Sequence, residues 1–299
     1  MDYDLIMSAS ERCLSEKSQK FLDFTKPPVY LFDSTEKCAG TTLKRYLRAN
    51  FTQDIFFDVD NGDPPTETIR NYGIQCPIHF PPYAQFLDDR ETNFYDIFSL
   101  YLRDRVRWLE ENLRQLNVSC VYGNMVHFTK LASILRPKYD VRLCKFFRNP
   151  VSRVVSEYNY VLHNSGHNLY QIAKDSGSLE NYICHPERPK NRQVASVLGK
   201  FYGEASVAIN HINREYFFVG LIESFDHDLE KFANLAHLDK PFIERHNVGP
   251  VKVKDETVQE HSNLYNLVVD YDPDDTALYE AISGTETNVL SPKKLCLDY

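Results

Sequence analysis

Lys37, Gly40, Thr41 and Thr42 stand within six positions of one another, and together they carry the chemistry of an anion site. The lysine supplies a full positive charge, the glycine lets the backbone approach a ligand closely, and two hydroxyls add donors beside main-chain amides. The residues around them say where those amides would come from. Val29 to Phe32 is a short apolar run rich in β-forming residues, and Leu43, Tyr46, Leu47 and Phe51 then recur at helical spacing. The pattern predicts a buried strand, a tight loop through Cys38 and Ala39, and an amphipathic helix opened by Thr41 and Thr42. The first amides of such a helix point unpaired out of its end, and its dipole favours negative charge there. Taken alone, the stretch has two readings: an oxyanion cradle, or an ordinary strand-to-helix connection with a solvated lysine. A nucleotide-hydrolase P-loop is not one of them. Gly-x4-Gly-Lys-Ser/Thr is absent, because Lys37 precedes the glycine and Lys44 falls a turn into the helix.

Other elements must position any remaining site residues. Val118 to Tyr122 reads as a second buried strand ending at Gly123 and Asn124, followed by a short helix from Phe128 to Leu135 that Pro137 stops. Val141 to Phe147 reads as a third strand running into Arg148, Asn149 and Pro150. Asparagine as N-cap and proline at the first helical position predict a helix with Val151, Val154, Val155, Tyr158 and Leu162 as its apolar stripe. Arg148 and Ser156 need not belong to that stripe. Tyr216 to Leu221 is a further strand, followed by a helix capped near Ser224 with Phe225, Leu229 and Phe232 inward. Strands separated by helices predict an α/β fold, P-loop-like, with a mainly parallel central sheet and helices on both faces. Ligands of such sheets bind at the carboxyl ends of the strands, where Lys37, Gly123 and Arg148 fall. Residues 76–87 and 163–190 are irregular, and they predict loops lining a pocket. Residues 1–27 read as an N-terminal extension and 255–299 as a C-terminal extension packing on the domain 28–254.

Composition narrows the function class. At 299 residues, 42% hydrophobic and 25% charged, the chain has ordinary globular composition. A net charge of −8 disfavours nucleic acid as a partner, since that binding rests on many lysine and arginine contacts. Without a run of about eighteen apolar residues or a basic, apolar N-terminus, the sequence predicts a cytoplasmic protein with no membrane span. Seven cysteines, odd in number and without a Cys-x2-Cys pair, argue against a disulfide framework or a structural zinc, and no metal is expected.

Separated segments, in order, resemble one family. Glu36-Lys-Cys-Ala-Gly-Thr-Thr42 resembles the 5′-phosphosulfate loop of sulfotransferases related to the heparan sulfate 2-O- and 6-O-sulfotransferases. Phe147-Arg-Asn-Pro-Val-Ser-Arg-Val-Val-Ser-Glu-Tyr158 resembles their 3′-phosphate motif. Asn191-Arg-Gln with Leu198-Gly199, and Phe218-Val-Gly-Leu-Ile-Glu-Ser-Phe225, look like later landmarks, and His246 to Lys254 is similar to a segment that folds back over the cofactor. The resemblance covers roughly 28–254 and implies sulfuryl transfer from 3′-phosphoadenosine 5′-phosphosulfate (PAPS), leaving adenosine 3′,5′-bisphosphate, with no metal. It implies that Lys37 meets the leaving oxygen while Cys38, Ala39, Gly40, Thr41 and Thr42 cradle the 5′-phosphosulfate. Arg148 and Ser156 would hold the 3′-phosphate, with Lys252 and Lys254 as further cofactor contacts.

Where many relatives have a histidine directly after the glycine ending the middle strand, this chain has Asn124. The general base is then His127 by a shift of the loop, or Glu36, His79 or a histidine of 163–167; His127 as a purely structural residue is the competing account. For the acceptor, Phe80, Tyr83, Phe86, His163, His167, Tyr170 and Tyr182 offer rings and imidazoles, with His79, Tyr83, His163 and His167 as contacts. With 34 basic against 42 acidic residues, such a lining suits a small molecule or neutral glycan better than a sulfated chain. A glycosaminoglycan sulfotransferase, a nucleotide phosphotransferase and a PAPS-binding protein without activity are the rival readings. The oligomeric state is not legible.

Overall fold

A computed structural model describes residues 25–35, 37–51, 55–58, 118–124, 132–133, 135–199, 203–238 and 263–284. Its strands are β1 (Pro28–Ser34), β2 (Ile55–Asp58), β3 (Val118–Asn124), β4 (Asp140–Phe147) and β5 (Tyr216–Leu221). They form an all-parallel central sheet in the order β2-β3-β1-β4-β5, flanked by helices, which is the fold class the sequence predicts. The helices used below are α1 (Gly40–Asn50), α2 (Pro150–Leu162), α3 (Tyr170–Ser176), α4 (Leu179–Cys184), α5 (Arg192–Leu198), α6 (Ala205–Glu215), α7 (Phe225–Leu235), α8 (Asn263–Tyr271) and α9 (Pro273–Ser283). Among the described residues no helix is long and apolar enough to cross a membrane.

The chain divides into two compact units, one of residues 1–33 with 47–143 and one of residues 34–46 with 144–299. In the first, Val29, Leu31 and Phe32 are fully buried. Consecutive buried positions mean that both faces of β1 are covered, which explains a continuous apolar run where a half-exposed strand would alternate.

The second unit holds the loop after β1, the first turns of α1, and everything from Cys144 onward. It has two cores. Val151, Val154, Val155, Tyr158 and Val161 of α2 pack with Leu169, Ala173, Leu179, Tyr182 and Ile183, and with Leu264 and Val268 of α8. Phe147, Val194, Val197, Ala208, Ile212, Val219 and Leu221 pack with Leu278 and Ile282 of α9. The apolar stripe predicted for α2 is therefore its buried face, except that Val161 takes the place of the partly buried Leu162.

Residues 163–190, expected to be irregular, contain α3 and α4. Gly177 ends α3 at φ 66°, and the Ser178 hydroxyl accepts from the Asn181 amide to start α4. Helices of seven and six residues complete too few turns for an apolar period to show. Ser224 does stand at the N-cap of α7, but its hydroxyl donates to the Asp228 carboxylate at 2.7 Å instead of accepting from a helix amide. The same carboxylate accepts from the Leu221 amide at 2.8 Å, so it ties the end of β5 to the helix that follows.

Gly220 shows why this strand carries a glycine. A methyl added there would overlap the ring of Phe146, which packs at 5.5 Å from Phe218 and 5.0 Å from Phe225. Gly220→Ala should therefore cost about 2 kcal/mol through overpacking and lower the melting temperature by several degrees. Thermal unfolding measures it, and an unchanged midpoint would mean that the aromatic cluster yields freely.

Candidate functional site

The loop between β1 and α1 has a distinctive backbone. Lys37 and Ala39 are left-handed, at φ 67° and 53°, while Cys38 between them is not. Alternating handedness is the backbone pattern of anion-binding nests, although here the Cys38 amide is taken by the Thr35 carbonyl. Gly40 itself opens α1 with ordinary helical backbone, and the unusual conformations fall on Lys37 and Ala39. The helix ladder begins where the Leu43 amide donates to the Ala39 carbonyl at 3.0 Å. The amides of Gly40, Thr41 and Thr42 thus lie in the first turn, at the positive end of the helix dipole.

Left-handed backbone at a residue with a side chain costs roughly 1–2 kcal/mol, and named contacts offset it. The Cys38 amide donates to the Thr35 carbonyl at 3.2 Å. An Arg148 guanidinium nitrogen donates to the Lys37 carbonyl at 2.8 Å. The Cys38 thiol is buried and donates to Gln193 Oε1 at 3.6 Å. Burial pushes that thiol up to about 11, against the lowering pull of Arg153, Lys145 and Arg148 and with Asp275 raising it. Cys38 is consequently a neutral prop with its amide engaged inside the loop, unsuited to act as a nucleophile.

Arg148 is placed by the junction of β4 and α2. Asn149 caps the helix as the sequence predicts, its Oδ1 accepting from the Val151 and Ser152 amides at 3.0 and 3.2 Å. The Arg148 backbone is gripped by Gln193, whose Oε1 accepts from the Arg148 amide at 2.8 Å and whose Nε2 donates to the Arg148 carbonyl at 2.9 Å. Since Oε1 also takes the Cys38 thiol, a single side-chain amide holds the loop between β1 and α1 and the arginine in one frame.

Gln193 is held in turn by α9. Asp275 accepts from the Gln193 and Val194 amides at 3.1 and 2.9 Å, and Asn191 Oδ1 accepts from the Asp274 and Asp275 amides at 3.1 and 3.2 Å. Neither helix has a side-chain cap from its own N-cap residue, so α5 and α9 cap each other. Burial raises Asp275 to about 6, opposed by the nearby Arg153 guanidinium and the two amides, with Asp272 pushing further up.

Beneath this frame lie paired buried charges. Arg153 donates to Glu157 at 2.7 Å, the Tyr182 hydroxyl donates to the same carboxylate at 2.8 Å, and Arg192 approaches it at 3.6 Å. Arg188 meets Asp272 at 2.6 Å. Burial alone would raise Glu157, but Arg153, Arg192, Arg188 and the Tyr182 hydroxyl outweigh it and bring the carboxyl down to about 2. Tyr182, expected along a pocket wall, is thus a fully buried structural residue. Arg188 and Arg192 likewise serve the interior.

Ser156 is half-buried on α2, one turn before the exposed Tyr160. His163 ends the helix with Nδ1 at 2.6 Å from the Asn159 carbonyl. A carbonyl only accepts, so Nδ1 carries the hydrogen and Nε2 presents a lone pair. His167 is set the other way, its Nδ1 accepting from the Leu169 amide at 3.1 Å, which leaves the hydrogen of the neutral ring on Nε2. Tyr170 is partly buried against the α2 core. Glu36, His79, Tyr83, His127, Lys252 and Lys254 lie outside the described residues. Sequence reasoning missed the roles of Gln193 and Asp275. For the latter, Asp272-Pro-Asp-Asp275 was a readable helix start.

No protein-family model matches the chain, and no curated protein matches it in sequence. Among solved structures it is similar to a sulfotransferase from Alicyclobacillus acidocaldarius, at 16% identity and TM-score 0.40, over 87% of this chain and 97% of that one. It is also similar to a structure of the PezAT chromosomal toxin-antitoxin system of Streptococcus pneumoniae, at 17% identity and TM-score 0.33, over 63% and 69% of the two chains. Likeness at this level assigns no role to any residue.

The buried acids make stability pH-dependent in two opposed ways. Glu157, lowered from 4.5 to about 2, contributes stability that is present above pH 4.5 and is lost as pH falls through 2. Asp275, raised from 3.8 to about 6, contributes stability that is present below pH 3.8 and is lost as pH rises through 6. Denaturant titrations from pH 3 to 7 should show Asp275→Asn gaining on the native chain by up to about 3 kcal/mol between pH 4 and 6. A constant difference across that window would remove the raised carboxyl.

Proposed function

We propose that the chain is a PAPS-dependent sulfotransferase acting on a hydroxyl or amine of a small-molecule or neutral glycan acceptor. The observation that carries this reading is the left-handed Lys37 and Ala39 pair opening a helix N-terminus, with Arg148 bonded to the Lys37 carbonyl. The loop and the arginine stand in one frame, in the two segments where the sequence resembles phosphosulfate and 3′-phosphate motifs, which supports this reading. The buried hydroxyl of Thr35, at the start of the loop and without a hydrogen-bond partner among the described residues, adds a donor to the same region.

In this reading the amides and hydroxyls of Gly40, Thr41 and Thr42 take the 5′-phosphosulfate oxygens, and Lys37 meets the charge that develops on the leaving phosphate oxygen. Arg148 and Ser156 take the 3′-phosphate, and on the resemblance Lys252 and Lys254 add cofactor contacts. As the acceptor oxygen bonds to sulfur and the bond from sulfur to the phosphate oxygen breaks, the acceptor proton passes to a histidine. Of the sequence's candidates for that base, His163 holds Nδ1 against the Asn159 carbonyl, which makes Nε2 the acceptor nitrogen of its neutral ring, and His127 is the alternative.

Transfer of radiolabelled sulfate from PAPS to a panel of acceptors tests the reading, and absence of transfer to any of them would contradict it. Given an acceptor, Lys37→Ala should lower turnover about a hundredfold or more, the effect of losing roughly 3 kcal/mol of transition-state stabilisation. Arg148→Ala should raise the KM for PAPS. It should also lower turnover, because Arg148 holds the Lys37 carbonyl. A loss of turnover in His163→Gln but not in His127→Gln would place the base on α2, and the reverse result would place it at His127.

A further inference from the structure

Lys37 is held at both ends by one segment of chain. Its carbonyl accepts from Arg148 at the start of α2, and its ammonium lies 3.8 Å from the centroid of the Tyr160 ring near the end of the same helix. Tyr160 is 46% exposed, whereas the opposite face of α2 is core, so the ring adds little to the interior. It is nonetheless fixed. Its hydroxyl accepts from Asn164 Nδ2 at 3.2 Å, and its ring meets the His167 ring at 5.7 Å in an edge-on arrangement. His167 is itself held by the Leu169 amide. A lysine ammonium on a flexible four-carbon stem is a poor catalyst unless its position is set.

We propose that Tyr160 is a positioning residue for Lys37, its ring setting where the ammonium stands beside the anion loop. The consequence for turnover rests on the sulfotransferase reading; the contact does not. An aromatic face attracts a cation through its quadrupole, and a ring fixed in place therefore limits where the Lys37 ammonium can stand. Arg148 fixes the backbone of a left-handed residue and Tyr160 fixes its charge, so the strain at φ 67° serves to aim one ammonium.

Two measurements on the full-length chain separate the proposal from the reading beneath it. In PAPS-dependent transfer, Tyr160→Leu should lower kcat about 3- to 10-fold, the size of a half-exposed cation–π contact. The KM for PAPS and the melting temperature should stay put, and Tyr160→Phe, which keeps the ring, should restore kcat. Wild-type kcat in Tyr160→Leu would overturn the proposal, as would a Tyr160→Phe variant as impaired as Tyr160→Leu. Independently of activity, isotope-labelled methyl groups placed on lysine report ring currents by NMR. The Lys37 resonance, assigned with Lys37→Arg, should be shifted upfield in the native chain and in Tyr160→Phe, and should lose that shift in Tyr160→Leu. The shift without any sulfate transfer would uphold the clamp and defeat the sulfotransferase reading; transfer without the shift would do the opposite.

Discussion

The side-chain amide of Gln193 is the joint on which the candidate site depends. It pairs with the Arg148 backbone at 2.8 and 2.9 Å and takes the Cys38 thiol on the same oxygen, so it bonds both the loop between β1 and α1 and the arginine. A carboxylate could not donate to the Arg148 carbonyl, and an apolar residue would leave that carbonyl and the amide without partners at a cost of roughly 1–3 kcal/mol each. Glutamine alone among residues of its length both donates and accepts from one planar group.

Rigid placement of Gln193 explains the buried charges below it. Burying an ion pair stabilises little, because desolvation offsets most of the attraction. The return here is geometric. Asp275 grips the start of α5, Asn191 grips the start of α9, and Arg153 faces Asp275 at 3.9 Å. Two short helices that lack caps of their own become a fixed shelf for one glutamine. The same arrangement draws residues far along the chain into the site, since Gln193 and Asp275 are 82 positions apart.

What the sequence reveals follows the range of each interaction. The N-cap at Asn149, the proline after it and the stripe of α2 depend on neighbours within a few turns, and they are legible. The continuous apolar run of β1 likewise announces a strand covered on both faces. The left-handed backbone at Lys37 and Ala39 is not legible in the sequence, because glycine is the residue that ordinarily signals such a conformation and neither position is glycine. The roles of Gln193 and Asp275 were hidden for a different reason: their partners are set by tertiary packing, and no local pattern distinguishes a buried glutamine that pairs with backbone from a solvated one. Tyr182 misled in the same way, as its ring and hydroxyl would serve a pocket wall as well as they serve the interior beside Glu157.

The central claim is that one frame reads two phosphate groups, one at the helix N-terminus beside Lys37 and one at Arg148 and Ser156. Calorimetric titration of the full chain with adenosine 3′,5′-bisphosphate, set beside adenosine 5′-monophosphate and magnesium ATP, tests it most directly. The account predicts binding of the bisphosphate at least tenfold tighter than either of the others, without added metal, and loss of that preference in Arg148→Ala. Equal affinity for the bisphosphate and the monophosphate, or a preference for magnesium ATP, would contradict it.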